Sequence, residues 1–147
     1  MRMSGVLAAT FLLQSCSYSY GVLATVVDGR LAFISADDAY SCIANVNVSA
    51  VGATRAVASP GDDQGLVVKG GAFWWTRAPV IDCTMQFPVI YGTIAQDVPQ
   101  LVAAKPLRMN VVYSVNTEGE GAYGHGCFRI TAARRIQDLS DEHCYRL

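Results

Sequence analysis

Val22-Leu23-Ala24-Thr25-Val26-Val27-Asp28-Gly29-Arg30-Leu31-Ala32-Phe33-Ile34-Ser35 decides the fold class of this 147-residue chain. Two apolar or β-branched runs, 22–27 and 30–35, flank Asp28-Gly29. A type I′ turn needs positive φ at both central residues, and an Asp-Gly pair accepts it, so the stretch predicts a β-hairpin. A two-residue turn also sets the register, placing Val26 opposite Leu31 and Ala24 opposite Phe33. Those four with Val22 form one apolar face, and Thr25, Val27 and Arg30 lie on the other. A slip of one residue would exchange the faces.

Downstream, Cys42, Ala44, Val46, Val48 and Ala50 alternate with Ile43, Asn45, Asn47, Ser49 and Val51. Period two predicts one strand with a buried and a wet face, Cys42 on the buried side. Asn47-Val48-Ser49 matches a glycosylation acceptor, which in mid-strand reads as chance. Residues 52–65 are rich in turn formers and read as a long loop. Further β segments fall at about 66–69, 72–77, 84–91, 107–117 and 124–132. Pro88 demotes its segment to an edge or introduces a bulge. The last hairpin sets Val111-Tyr113-Val115 against Phe128-Ile130 across a glycine-rich loop, 118–126. Short helical turns are expected between Gln96 and Ala104, with Asp97 as N-cap, and from Ser140 to Tyr145. The expectation is an all-β fold: an antiparallel β-sandwich of about seven strands, immunoglobulin-like among its forms, or a small barrel, with at most one or two short helical turns. The tryptophans between Cys42 and Cys83 are only loosely similar to the immunoglobulin arrangement.

Upstream, Met1-Arg2-Met3-Ser4 precedes the apolar run Gly5–Leu13 and then Gln14-Ser15-Cys16. One positive residue, a short apolar core and small residues before a cut describe a secretory signal. The run is about half of the ~20 residues a membrane-spanning helix needs. Leu13, Ser15 and Cys16 resemble the lipobox of bacterial lipoproteins; Gln14 stands where that family has a small or β-branched residue. The resemblance covers residues 1–17. It implies acylation of Cys16 as the first mature residue and, with Ser17 following, delivery to the outer membrane. Cleavage after Ser17 without a lipid is the rival reading. The domain plan is a signal peptide at 1–15, a lipidated tether at 16–21 and one β domain at 22–147.

Five cysteines leave one over in an exported chain. With Cys16 given to lipid, Cys42, Cys83, Cys127 and Cys144 remain for two disulfides in an oxidising compartment. Three pairings are open. Cys42–Cys83 with Cys127–Cys144 is favoured, since neighbours in sequence tend to be neighbours in space.

Eleven basic residues stand against twelve acidic ones, a net charge of −1. No basic stripe follows a nucleic-acid backbone, so no nucleic-acid partner is expected. His125-Gly126-Cys127 and His143-Cys144 are the nearest approach to a metal constellation. Bridged cysteines supply no thiolate, so no metal and no cofactor is expected. Phe73-Trp74-Trp75 offers flat aromatic surface; if exposed, Trp74 or Trp75 would stack on a sugar ring, whereas burial makes them core. Asp37-Asp38, Asp62-Asp63, Glu118 and Glu120 read as solvated loop charges. Neither a nucleophile elbow, a His-Glu-x-x-His helix nor a phosphate loop occurs, and Cys127 near His125 reads as a disulfide before an activated thiol.

The functional expectation is a non-enzymatic cell-envelope lipoprotein, held in the membrane by its N-terminal lipid and contacting an envelope protein or glycan through loops 52–65 and 118–126. The alternatives are a small secreted enzyme or inhibitor, periplasmic or extracellular, and a glycan-binding module using Trp74 or Trp75.

Overall fold

The computed structural model describes residues 18–52, 71–79, 82–119 and 121–145. The signal peptide, Cys16, most of loop 52–65 and the segment expected at 66–69 lie outside the described residues. The fold is all-β. In chain order the strands are β1 Tyr18–Val27, β2 Arg30–Ser35, β3 Cys42–Ile43, β4 Asn45–Ala50, β5 Ala72–Thr76, β6 Met85–Gln86, β7 Val89–Ile90, β8 Gln100–Val102, β9 Val112–Gly119, β10 Ala122–Ile130 and β11 Ile136–Leu139. One short helix follows, α1 Asp141–Tyr145.

The opening hairpin forms with the expected register, Val26 against Leu31 and Ala24 against Phe33. Asp28 and Gly29 take φ of 50° and 74°, which is the backbone that a tight hairpin turn demands. Val22, Ala24 and Phe33 are buried, while Val26, near the tip, is exposed because the sheet ends there.

The main sheet runs β7-β2-β1-β10-β9-β4-β5-β8, and β11 also pairs with β10. Its pairings are antiparallel except one. Tyr18–Gly21 lie parallel to Ala122–His125, after which β1 leaves β10 and pairs with β2 from Val22 onward. The vacated edge of β10 is taken by β11, from Cys127 opposite Leu139 to Ile130 opposite Ile136. The Ala24 N–H donates to Asp138 Oδ1 at 2.7 Å, tying the departing strand to its replacement. A strand that changes partners bends the sheet, so the sheet curls round one core. Phe33 reaches Phe128 at 5.6 Å between ring centroids, and Tyr113 stacks on Phe128 at 5.6 Å. Ile43, Val46, Val48, Trp74, Met85 and Val115 complete that core.

Several sequence expectations change. The strand expected over 42–51 breaks at Ala44, and the alternation shifts phase there. Ile43, not Cys42, enters the main core with Val46 and Val48, while Ala44 packs with Ala78 and Val98. Segment 84–91 divides at Pro88: β6 pairs with β3, and β7 forms the sheet edge against β2. Proline cannot donate to a ladder, so an edge is where it fits. Instead of a helical turn over 96–104, a turn with Asp97 at φ 59° leads into β8, which pairs with β5. Tyr18–Gly21 are strand rather than tether. The helical turn expected at the C-terminus is present as α1, directly after β11.

The largest difference is at 118–126. The last hairpin pairs Gly119 with Ala122, with only two residues between them along the chain, and Gly124 and Gly126 sit inside β10. These two glycines permit close approach rather than turning. A Cβ on Gly126 would meet the carbonyl oxygen of Val22, and one on Gly124 would meet Thr117 Oγ1 and lie 2.6 Å from both Tyr20 and Val22 side chains.

Candidate functional site

Two adjoining features at the α1 end of β10 gather the chain's chemistry. The first is a corner around His125. His125 and Cys127 lie two apart on β10 and therefore share a face, and Asn116 is the cross-strand partner of His125 on β9. Helix α1 brings Asp141 and Cys144, three residues apart and so on one side of its single turn. The Cys127–Cys144 disulfide, with Cα atoms 5.9 Å apart, staples α1 to the sheet. Both sulfur-bearing residues are buried, at 2 % and 0 % exposure.

The His125 ring is oriented by its neighbours. Nδ1 lies 2.8 Å from Asn116 Oδ1. An amide oxygen only accepts, so Nδ1 carries the proton of that bond. Nε2 then faces the other way, 3.9 Å from Cys127 Sγ and 3.7 Å from Asp141 Oδ1. The donor atoms of His125, Cys127 and Cys144 all lie within 4.8 Å of one another. His143, counted with this group from the sequence, is elsewhere: its Nδ1 meets Ser140 Oγ at 2.7 Å. Asp141 and Asn116 carry no motif in the sequence. The signal for Asn116 is the register of the last hairpin, hidden by reading 118–126 as a loop.

The second feature is a cleft of about 590 Å³ lined by Arg129, Gln137, Asp138, Ser140, Glu142 and His143 among others. Its polar groups largely serve the fold. Arg129 Nε donates to Gln137 Oε1 at 2.8 Å, and Asp138 accepts from Ala24 N–H. Ser140 caps α1: its carbonyl accepts from the N–H groups of His143 at 2.9 Å and Cys144 at 3.1 Å. Ser140 stands at the N-cap position, where serine is favoured, and its hydroxyl lies 2.7 Å from His143 Nδ1.

Cys42 and Cys83 form the other disulfide, with Cα atoms 5.5 Å apart, so the favoured pairing is the one observed. Trp74 is wholly buried, packed edge-on against Tyr91 at 5.4 Å, and offers no face to a sugar. Trp75 is half-buried, beside Asn47 and Val102. Phe73 also faces the core, because a bulge between Val48 and Ser49 leaves it without a partner on β4 and interrupts the alternation. Asp37 closes a turn, accepting from the Ala39 N–H at 3.0 Å and from the Tyr18 hydroxyl at 3.0 Å. Glu118 accepts from Asn45 Nδ2 at 3.2 Å. Asp62, Asp63 and Glu120 lie outside the described residues.

At the opposite end of β10, where the chain enters the fold, tyrosines cluster. Tyr40 stacks between Tyr18 and Tyr20, at 4.9 and 4.8 Å. Tyr18 and Tyr123 remain 49 % and 51 % exposed. Hydrogen bonding to Asp37 and its negative charge raise the Tyr18 hydroxyl above its ordinary pKa. Tyr20 is raised by burial, against the bond to Thr117 that lowers it.

Compared with known protein families, curated proteins and solved structures, the chain matches none of them.

Proposed function

We propose that this chain is an exported, membrane-anchored β domain of the bacterial cell envelope that acts by binding rather than by catalysis. The observation supporting this most directly is the closure of both disulfides, one tying β3 to the segment before β6 and the other tying β10 to α1. Such bridges persist in oxidising compartments and are rare in reducing ones. The lipobox-like Leu13-Gln14-Ser15-Cys16 supplies the anchor in this reading. Because β1 starts at Tyr18, an acyl chain on Cys16 would hold the domain against the bilayer. Tyr18 and Tyr123 would then lie near the headgroups, where amphipathic rings are favoured. The binding surface lies away from Trp74, which is interior. The expected partner is another envelope component, a protein or a glycan, approached through the segment around 52–65.

The test is the intact mass of non-reduced protein from the membrane fraction of a bacterial host. The expected mass lacks residues 1–15, carries a diacylglyceryl and an N-acyl group, and is four hydrogens short. Recovery of the uncut chain in the cytoplasm with four free thiols would overturn the reading. Cys16→Ser should shift the protein out of the membrane fraction while preserving both bridges.

A further inference from the structure

We infer that the His125 corner is a redox-gated site for a zinc-class divalent cation, closed while the Cys127–Cys144 bridge is intact and opened by its reduction. Donor groups from two elements gather there: His125 Nε2 and Cys127 Sγ from β10 and Cys144 Sγ from α1, with Asp141 Oδ1 of α1 beside Nε2 and Asn116 of β9 behind the ring. Zinc favours a tetrahedral set of thiolate, imidazole and carboxylate ligands, with bonds of about 2.0–2.3 Å. Neighbouring ligands of such a tetrahedron stand roughly 3.3–3.8 Å apart. The nitrogen-to-sulfur distance of 3.9 Å and the nitrogen-to-carboxylate distance of 3.7 Å are already within a few tenths of that. Opening their bond lets the two sulfurs part, and the exposed Asp141 side chain, already beside Nε2, completes the set by closing on the cation.

The bond to Asn116 is the second argument. A metal-binding histidine usually gives its other ring N–H to an oxygen acceptor, which sets the tautomer and aims the lone pair. His125 has that arrangement, with Nδ1–H on Asn116 Oδ1 and Nε2 turned to the sulfurs. Neither bridge closure nor sheet pairing requires it. The Cys42–Cys83 bridge is not part of any such group of donors among the described residues.

The chemistry balances with a dithiol reductant. The reductant's two thiols become its own disulfide, and their two electrons and two protons pass to Cys127 and Cys144. Binding of the cation then releases both thiol protons, leaving two metal–thiolate bonds. The cation takes over the task of the disulfide, holding α1 on β10.

Cobalt(II) serves as the probe, added to the full-length chain before and after treatment with a dithiol. The reduced protein should take up one equivalent, with a thiolate-to-cobalt charge-transfer band and the visible bands of tetrahedral cobalt, and zinc should displace it. The oxidised protein should show neither. His125→Ala and Asp141→Asn should weaken binding by at least tenfold, Asn116→Ala by about 10-fold, and His143→Ala should leave it unchanged. The Cys42→Ser/Cys83→Ser double variant, in which only one cysteine pair of the domain remains, should still bind. Near-ultraviolet circular dichroism of the zinc-loaded reduced protein should match that of the oxidised one. Octahedral cobalt without the thiolate band, equal losses in His125→Ala and His143→Ala, or binding only by an unfolded chain would each overturn the inference.

Discussion

Gly126 lies directly against the carbonyl oxygen of Val22, so that a methyl group on Gly126 would occupy the place of that oxygen. This contact is where β1 stops running beside β10 and turns toward β2. The atom met belongs to backbone and has no rotamer to escape into. Gly126→Ala is therefore expected to cost at least the upper end of the ~1–3 kcal/mol typical of overpacking. Gly29→Ala, in open space but at φ 74°, should cost only about 1–2 kcal/mol. Urea midpoints of the two variants give the comparison, and equal losses would contradict the crossing geometry.

The two bridges should contribute unequally. Cys42–Cys83 spans 41 residues and Cys127–Cys144 spans 17. Limiting the unfolded chain over those loops is worth about 4 and about 3 kcal/mol respectively. Paired Cys→Ala variants, unfolded in denaturant, should rank in that order. Loss of the shorter bridge should also release α1, seen as faster exchange of the amide at position 144 before the sheet opens.

Thr76 performs a backbone duty with a side chain. Its hydroxyl oxygen accepts from the Val46 N–H at 3.1 Å in a fully buried position. Thr76→Val preserves the shape and strands that donor, so a loss of about 1–3 kcal/mol is expected. Thr76→Ser, which retains the acceptor and drops a methyl group, should be milder, and thermal unfolding of the pair separates bond from packing.

Alkaline stability should depend on Tyr91. Its single hydroxyl proton is shared between the carbonyls of Phe73 at 3.0 Å and Lys105 at 2.8 Å. Burial raises its pKa to about 12 from an ordinary 10.0, the bond to Lys105 opposing. The raised value belongs to the folded state, so the unfolded chain loses its proton first as pH rises. The contribution is whole below pH 10.0 and disappears as pH climbs to about 12. Tyr20, raised in the same direction, adds to the slope. Tyr91→Phe should flatten the decline above pH 10.0 while weakening the protein at neutral pH through the loss of that shared bond. Unchanged pH dependence in that variant would remove Tyr91 from the account.

Much of the fold was legible because its signals are local. Asp28-Gly29 dictated turn and register, period two marked β4 and β9, and Ser140 announced α1. The candidate site was only half legible. His125, Cys127 and Cys144 stand out by residue type, whereas Asp141 and Asn116 are ordinary polar residues whose role comes from position. Glycines misled most, since at 124 and 126 the same residue that makes a loop turn also lets two strands touch.

By itself, the order of residues determined the β class, the first hairpin and the residue types able to bridge, because turn geometry and side-chain alternation act over a few bonds. Tertiary structure alone decided that β1 would lie parallel to β10 and then yield its place to β11, and that His125 would meet Asp141. Those choices join residues about a hundred positions apart or on different elements. They are settled by which surfaces fit together round the Phe33–Phe128 core, a property of the packed whole that no short window of sequence contains.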